Sequence, residues 1–221
     1  VRLNIAPDYP TLLKLIRDGK VHIAQVNARG LRNLLQEDSD CSYIATVLHE
    51  TPRFGIRTAS EGILVARSKA TLSPTTVPTL RLGLVDKKST SGYLFPMLWL
   101  KSQSIELDDF KDVLFLGSHT KVMSSLENGG VDLGATWDGQ EDIDRHVRGL
   151  SLHAIASTGT LPNDAWVVAG SRGLAVKDQV KRWSTSLRTN FERQDLFESK
   201  AIFAGLKAIP IEVYQSLPKD D

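Results

Sequence analysis

Three consecutive hydroxyl side chains and a glycine, Ser89-Thr90-Ser91-Gly92, stand out as residues able to do chemistry together. They follow the apolar run Leu80-Arg81-Leu82-Gly83-Leu84-Val85, which reads as a buried strand. They precede Met97-Leu98-Trp99-Leu100, which continues as a helix. The hydroxyls therefore fall where a strand hands over to a helix N-terminus. Such a terminus leaves backbone N–H groups unpaired and carries partial positive charge, which suits an oxyanion. The competing reading is an ordinary helix cap, since Ser and Thr are common N-cap residues. His119, in Gly117-Ser118-His119, stands at the start of another helix, where it could serve as a cap. Asp138 follows Trp137 at a strand end and could cap a helix from Gly139. Asp164 lies in the turn-forming Pro162-Asn163-Asp164, and Tyr9 opens a helix, where it could be a packed aromatic.

Other chemistries have little support. There is no Gly-x-Ser-x-Gly elbow, no Gly-Lys-Ser/Thr phosphate loop and no Gly-x-Gly-x-x-Gly fingerprint. His22, His49, His146 and His153 have no partners at metal-ligand spacing, so no metal and no cofactor are expected. The single cysteine, Cys41, excludes an internal disulfide and reads as an incidental buried or partly buried thiol. The 221 residues carry a formal net charge of +1, which provides no global field for nucleic acid or a membrane surface. No stretch approaches the roughly 18 apolar residues of a membrane span.

The elements that must position these residues follow from periodicity. Leu3 and Ile5 suggest a short strand. Asp8 then caps a helix with apolar positions Leu12, Leu13, Leu15 and Ile16, and Gly19 stops it. Residues 21–26 form the next strand and 28–36 the next helix, an alternation that argues for a parallel sheet. Further strands are predicted at 43–49 and 62–65. After a Ser, Thr and Pro-rich connection a second unit begins at Leu80, with strands at 80–85, 113–116, 131–136 and 152–156 and a helix at about 120–127. The chain closes with a strand at 165–169 and a helical stretch carrying Val176, Val180, Trp183 and Leu187. An internal echo links 15–24 and 126–135, where a helix stops at glycine and a short strand follows. The expectation is an α/β protein of two lobes: 1–70 plus 166–221, and 80–160, with 71–79 and 161–165 as hinges. A ligand would then sit where strand ends converge, in the cleft between lobes.

Ala6-Pro7-Asp8-Tyr9, residues 19–24, Ser89-Thr90-Ser91-Gly92-Tyr93 with Pro96, Gly117-Ser118-His119, residues 131–136 and Pro162-Asn163-Asp164 together resemble one family. It is the periplasmic phosphonate-binding proteins of ABC transporters, within the type II periplasmic binding proteins. The resemblance covers most of the chain. It implies that Ser89, Thr90 and Ser91, with Gly92 and neighbouring N–H groups, hold the phosphonate oxygens. His119 would donate to the same group, Tyr9 would contact it from the other lobe, and Asp138 and Asp164 would face an ammonium at the ligand's far end. It also implies a periplasmic or extracytoplasmic location, a small phosphonate or oxyanion as ligand, and a membrane permease as partner. A monomer that binds no nucleic acid and catalyses no reaction is expected, with 2-aminoethylphosphonate the first ligand to test. Family members begin with a further strand and helix, which would lie upstream of Val1.

Two departures concern the ligand's identity. Ala59 stands where a ligand-contacting tyrosine is expected, and the strand ending Ala24-Gln25-Val26-Asn27 lacks the family's aromatic and glycine residues. A larger ligand could then be admitted, with Glu61 or Arg57 taking part. Two other functions share the fold: the sensing domain of a receptor or regulator, and an enzyme acting on a small phosphorylated molecule. A site of hydroxyls and N–H groups without a base-activated nucleophile argues for a binder.

Overall fold

The computed structural model describes residues 4–37, 40–69, 72–186 and 203–219. In chain order the elements are α1 (Tyr9–Arg17), β1 (Ile23–Val26), α2 (Ala28–Gln36), β2 (Cys41–Thr51), β3 (Gly55–Arg57), β4 (Ala59–Ala66) and β5 (Arg81–Leu84). Then come α3 (Phe95–Ser102), β6 (Asp112–Phe115), α4 (His119–Glu127), β7 (Leu133–Trp137), α5 (Asp138–Arg148) and β8 (His153–Pro162). The chain ends with β9 (Ala165–Ala169), α6 (Gly170–Ala175), α7 (Lys177–Ser186), β10 (Phe203–Lys207) and α8 (Glu212–Gln215). They form two compact units. One comprises Val1–Glu50, Gly55–Thr58 and Pro162–Asp221, and the other Thr51–Phe54 and Ala59–Leu161.

In the first unit local chemistry sets the helices as their sequences predict. Asp8 accepts from the Thr11 N–H at 2.8 Å and starts α1, and Asn27 accepts from the Gly30 N–H at 2.7 Å and starts α2. Gly19 after α1 and Gly129 after α4 both take positive φ, 64° and 72°, so the internal echo is one device used twice. The expected strand at Leu3 and Ile5 is not formed by the described part: residues 4–6 pair with no strand, Ile5 is exposed, and Leu3 lies outside the described residues. Leu187 also lies outside them.

The sheet of this unit departs from the parallel expectation. Its order is β1-β9-β2-β10, with β3 on β2, and β9 runs antiparallel to both β1 and β2. The crossover through α2 does leave β1 and β2 parallel to each other, as a β-α-β unit requires. The late strand β9 then inserts between them.

The second unit's sheet runs β6-β5-β7-β4-β8, with β5 parallel to both β6 and β7 and β4 antiparallel to β7. Strand β4 thus belongs to this sheet, whereas the sequence reading placed residues up to 70 in the first lobe. The chain crosses between units around residues 50–59 rather than at 71–79. Helices cover both faces, and β4 feeds both cores: Leu64 and Ala66 pack with Leu82, Leu100 and Leu133, while Ile63 and Val65 pack with Val122, Met123 and Leu126. Burial on both faces is why such strands read as unbroken apolar runs.

The ends of β5 and β7 remote from the hydroxyl run are tied by charge. Arg81 donates to Asp132 from its backbone N, Nε and Nη2, each at 2.9 Å, and Nη2 also reaches the Gly129 carbonyl. The Arg81 hydrogen bonds hold the Asp132 carboxyl down to about 2. A depressed carboxyl contributes stability above its unfolded value near 4 and loses it as pH falls through the folded value. Asp132→Asn is therefore expected to lower the urea midpoint at pH 7. The gap from the parent protein should close as pH falls from about 4 to about 2. A gap unchanged across that range would show that the pair does not carry this stability.

Candidate anion-binding site

Strands β6, β5 and β7 are adjacent and parallel, so their C-terminal ends lie at one edge of the second sheet, and each leads into a helix. Three helix starts therefore gather there, each presenting unpaired N–H groups. The one after β5 carries the hydroxyl run. Ser89 is its N-cap, its Oγ accepting from the Gly92 N–H at 3.0 Å. Thr90–Leu94 winds as a single π turn, with the Leu94 N–H reaching the Ser89 carbonyl, before α3 begins. Such turns occur often at functional sites. Ser89, Thr90 and Ser91 are all buried. The cap and anion readings of Ser89 do not exclude each other, because an accepting Oγ keeps its own proton to donate.

Gly92 is demanded by packing. A Cβ there would fall 2.3 Å from Val85 Cγ2 and 2.6 Å from Val85 Cβ. The Gly92 carbonyl meanwhile accepts from the Val85 N–H at 3.1 Å. The hydroxyl run is thus drawn tightly onto the end of β5.

His119 is the first residue of α4, but the cap there is Ser118, whose Oγ accepts from the Lys121 N–H at 3.3 Å. The imidazole is left to other partners. Its Nδ1 lies 3.1 Å from Thr136 Oγ1 on β7, and its Nε2 lies 3.4 Å from Ser91 Oγ. Burial pushes this imidazole down to about 4, so it is neutral at physiological pH. The second unit thus offers an oxyanion hydroxyls, peptide N–H groups and a neutral ring, without the desolvation cost of a buried cation.

Asp138 is buried and is itself the first residue of α5, with Trp137 as the N-cap residue, so it does not cap a helix from Gly139. In that place its charge also suits the helix dipole. The Trp137 ring lies across Gly139, where an added Cβ would come within 1.9 Å of it. Next to β7, β4 begins at this same edge, since Gly62 faces Trp137. Glu61 there accepts from the Ser157 hydroxyl and, at 2.8 Å, from the Thr160 hydroxyl.

The remaining two candidates belong to the first unit. Tyr9 is half-buried at the first position of α1. Asp164 accepts from Gln25 Nε2 at 3.0 Å, and the Trp166 indole N–H donates to Gln25 Oε1 at 3.3 Å. Burial of its carboxyl pushes Asp164 up to about 6, against the lowering effect of the Gln25 hydrogen bond. Beside it, Asn163 is 3% exposed.

The structure therefore brings Ser89, Thr90, Ser91, Gly92, His119 and Asp138 to one sheet edge, and places Tyr9 and Asp164 in the other unit. Thr136 and Gln25 escaped the sequence reading. Thr136 sits inside a strand, where threonine is ordinary, and its one usable signal was its place at the end of the motif 131–136. Gln25 had the signal of a polar residue on a strand that ends beside the first lobe's predicted loops. Cys41 is half-buried and its thiol is pushed up to about 11, so it is not a reactive nucleophile. Among the described residues no cluster of three or more His, Cys, Asp or Glu could hold a metal ion. Among them, too, no helix is long and apolar enough to cross a membrane.

The family model described as "ABC transporter, phosphonate, periplasmic substrate-binding protein" matches residues 1–214. No curated protein matches the sequence. Among solved structures, a Xanthomonas citri protein bound to ATP is similar with a TM-score of 0.73 at 20% identity, over 97% of this chain and 82% of the other. A binding-protein component of an ABC phosphonate transporter from Pseudomonas aeruginosa gives a TM-score of 0.73 at 20% identity, over 95% of this chain and 70% of that one. A Prochlorococcus marinus protein in complex with methylphosphonate gives 0.68 at 17% identity, over 94% of this chain and 80% of the other.

Proposed function

The chain belongs to the periplasmic substrate-binding proteins of phosphonate ABC transporters, and from that premise we propose that it binds a small phosphonate through the Ser89–Gly92 turn and His119. Its fold is that of the type II periplasmic binding proteins, and its family comprises binding proteins for transport, not enzymes. A small-molecule ligand and a membrane permease are the partners this implies, and an extracytoplasmic location follows with them. The finer reading is that the phosphonate oxygens take hydrogen bonds from Ser89, Thr90, Ser91, His119 and the N–H groups around Gly92. The ammonium of 2-aminoethylphosphonate would be met by Asp138 and Asp164, and Tyr9 would contribute a further contact. The observation that carries this reading is the contact of buried Ser91 with a His119 ring that burial keeps uncharged. Directional neutral donors of this kind suit an oxyanion.

A tryptophan-fluorescence titration tests it, with 2-aminoethylphosphonate, methylphosphonate, phosphite, phosphate and sulfate added in turn. Saturable binding of one phosphonate in the micromolar range or tighter is expected. Ser91→Ala should weaken it about 10- to 100-fold, the value of one hydrogen bond to a charged group. Asp164→Asn should weaken the aminoethyl ligand and spare methylphosphonate. That preference should fade as pH falls below about 6, where the Asp164 carboxyl takes up its proton. Absence of binding to every phosphonate, or affinity indifferent to Ser91→Ala, would sink the reading.

A further inference from the structure

Thr136 is fully buried at the C-terminal half of β7, and among the described residues its hydroxyl makes one side-chain hydrogen bond, to His119 Nδ1 at 3.1 Å. On the other side of the ring, Nε2 meets Ser91 Oγ at 3.4 Å. A neutral imidazole carries one proton, so this three-member chain can run in only two directions.

In the first direction Ser91 donates to Nε2 and Nδ1–H donates to Thr136 Oγ1. The Thr136 proton then has no acceptor among the described residues, in a place without access to water. In the second direction Thr136 donates to Nδ1 and Nε2–H points toward Ser91 Oγ. The proton left over is then that of Ser91. An unmade hydrogen bond at a fully buried hydroxyl is costly, whereas an uncommitted Ser91 proton is what an arriving oxyanion requires.

We infer that Thr136 is a positioning residue for anion binding: by donating to His119 Nδ1 it locks the ring as the Nε2–H tautomer and makes the chain from Thr136 through His119 to Ser91 a one-way line of donors. The lock makes the His119–Ser91 side of the site a donor surface. A bound oxygen there meets N–H and O–H groups and never the lone pair of an imidazole nitrogen. A ring free to turn its lone pair outward would repel the same oxygen. This role at the anion rests on the phosphonate reading above, but the tautomer itself does not.

The tautomer is read in the ligand-free protein by long-range proton–nitrogen correlation spectra of the imidazoles. The His119 signals are assigned as those missing from His119→Gln among the five histidines of the chain. The expected pattern is a protonated Nε2 with an unprotonated Nδ1. Thr136→Val, which keeps the shape and removes the donor, should give a mixture of the two tautomers and weaken methylphosphonate about tenfold. Thr136→Ser should restore both the single tautomer and the affinity. A wild-type ring protonated on Nδ1 overturns the inference without recourse to any variant. So does a Thr136→Val protein that keeps the Nε2–H form alone, or a Thr136→Ser protein that restores neither property. If the tautomers behave as expected and no phosphonate binds any of these proteins, the ligand reading fails while the lock stands.

Discussion

Asn163→Asp is expected to cost about 4 kcal/mol of stability at neutral pH, because it turns an amide whose NH2 group donates twice into a buried, repelled carboxylate. The parent side chain is 3% exposed. Its Nδ2 donates to the Val47 carbonyl at 3.1 Å and to the Arg57 carbonyl at 2.8 Å, and its backbone N–H donates to the Thr58 carbonyl at 2.9 Å. Its own carbonyl accepts at 2.8 Å from the hydroxyl of Tyr214, which is itself buried and bonded to Thr46 at 2.7 Å. One residue thus joins β2, the end of β3 with the residue after it, and helix α8. An aspartate of the same shape would direct oxygen at two carbonyl oxygens. Protonated, it can donate to one of them; ionised, to neither. Its folded-state pKa must therefore rise, so the penalty grows as pH climbs above the unfolded value near 4 and is smallest in acid. Asn163→Ala leaves the same carbonyls unpaired but buries no charge, and should cost about 2 kcal/mol with little dependence on pH. Urea unfolding of both variants between pH 4 and 8 checks this. Equal losses with no divergence across that range would mean that water enters and solvates the carbonyls.

What the sequence revealed of this fold was local, and what it hid depended on distant pairing. Helix α2 is legible to the residue because Asn27 caps it and Leu31 and Leu34 repeat on one face. Strand β9 is legible because Pro162-Asn163-Asp164 punctuates its start. That β9 would slide between β1 and β2 depends on residues more than a hundred positions earlier, and no periodicity in either segment encodes it. The same holds for β4, whose apolar run announces burial on both faces but not which sheet buries it. At the site, a run of three hydroxyls before a helix is conspicuous. Thr136 is not, because its worth lies wholly in the imidazole it faces across the sheet edge. Asn163 likewise reads as a turn residue until its two carbonyl partners are seen to come from separate segments. Capping and turn chemistry are written within four or five residues. Hydrogen-bond chains across a sheet are written only in the assembled structure.

Gly92→Ala is expected to cost about 3 kcal/mol of stability and to weaken phosphonate binding at least about tenfold, the largest combined effect of any single methyl group in the site. The new Cβ would fall 2.3 Å from Val85 Cγ2 and 2.9 Å from Ser89 Oγ. Val85 is 1% exposed and packed with Ile63, Val122 and Leu126, so it has no free volume to enter. The backbone of Gly92 is equally constrained, since its N–H is held by Ser89 Oγ at 3.0 Å and its carbonyl by the Val85 N–H at 3.1 Å. Relief requires the π turn to lift away from β5, which breaks the cap at Ser89 and displaces Ser91 from His119. Stability and affinity should therefore fall together, unlike in Ser91→Ala, where affinity alone should fall. A double-mutant cycle with Val85→Ala isolates the cause. Removing Cγ2 relieves the closest contact but leaves Val85 Cβ at 2.6 Å, so the second substitution should recover part of the loss rather than add to it. Purely additive losses, or a Gly92→Ala protein that binds phosphonate as tightly as the parent, would show that the turn tolerates a side chain and that its close approach to β5 does not hold the anion site in place.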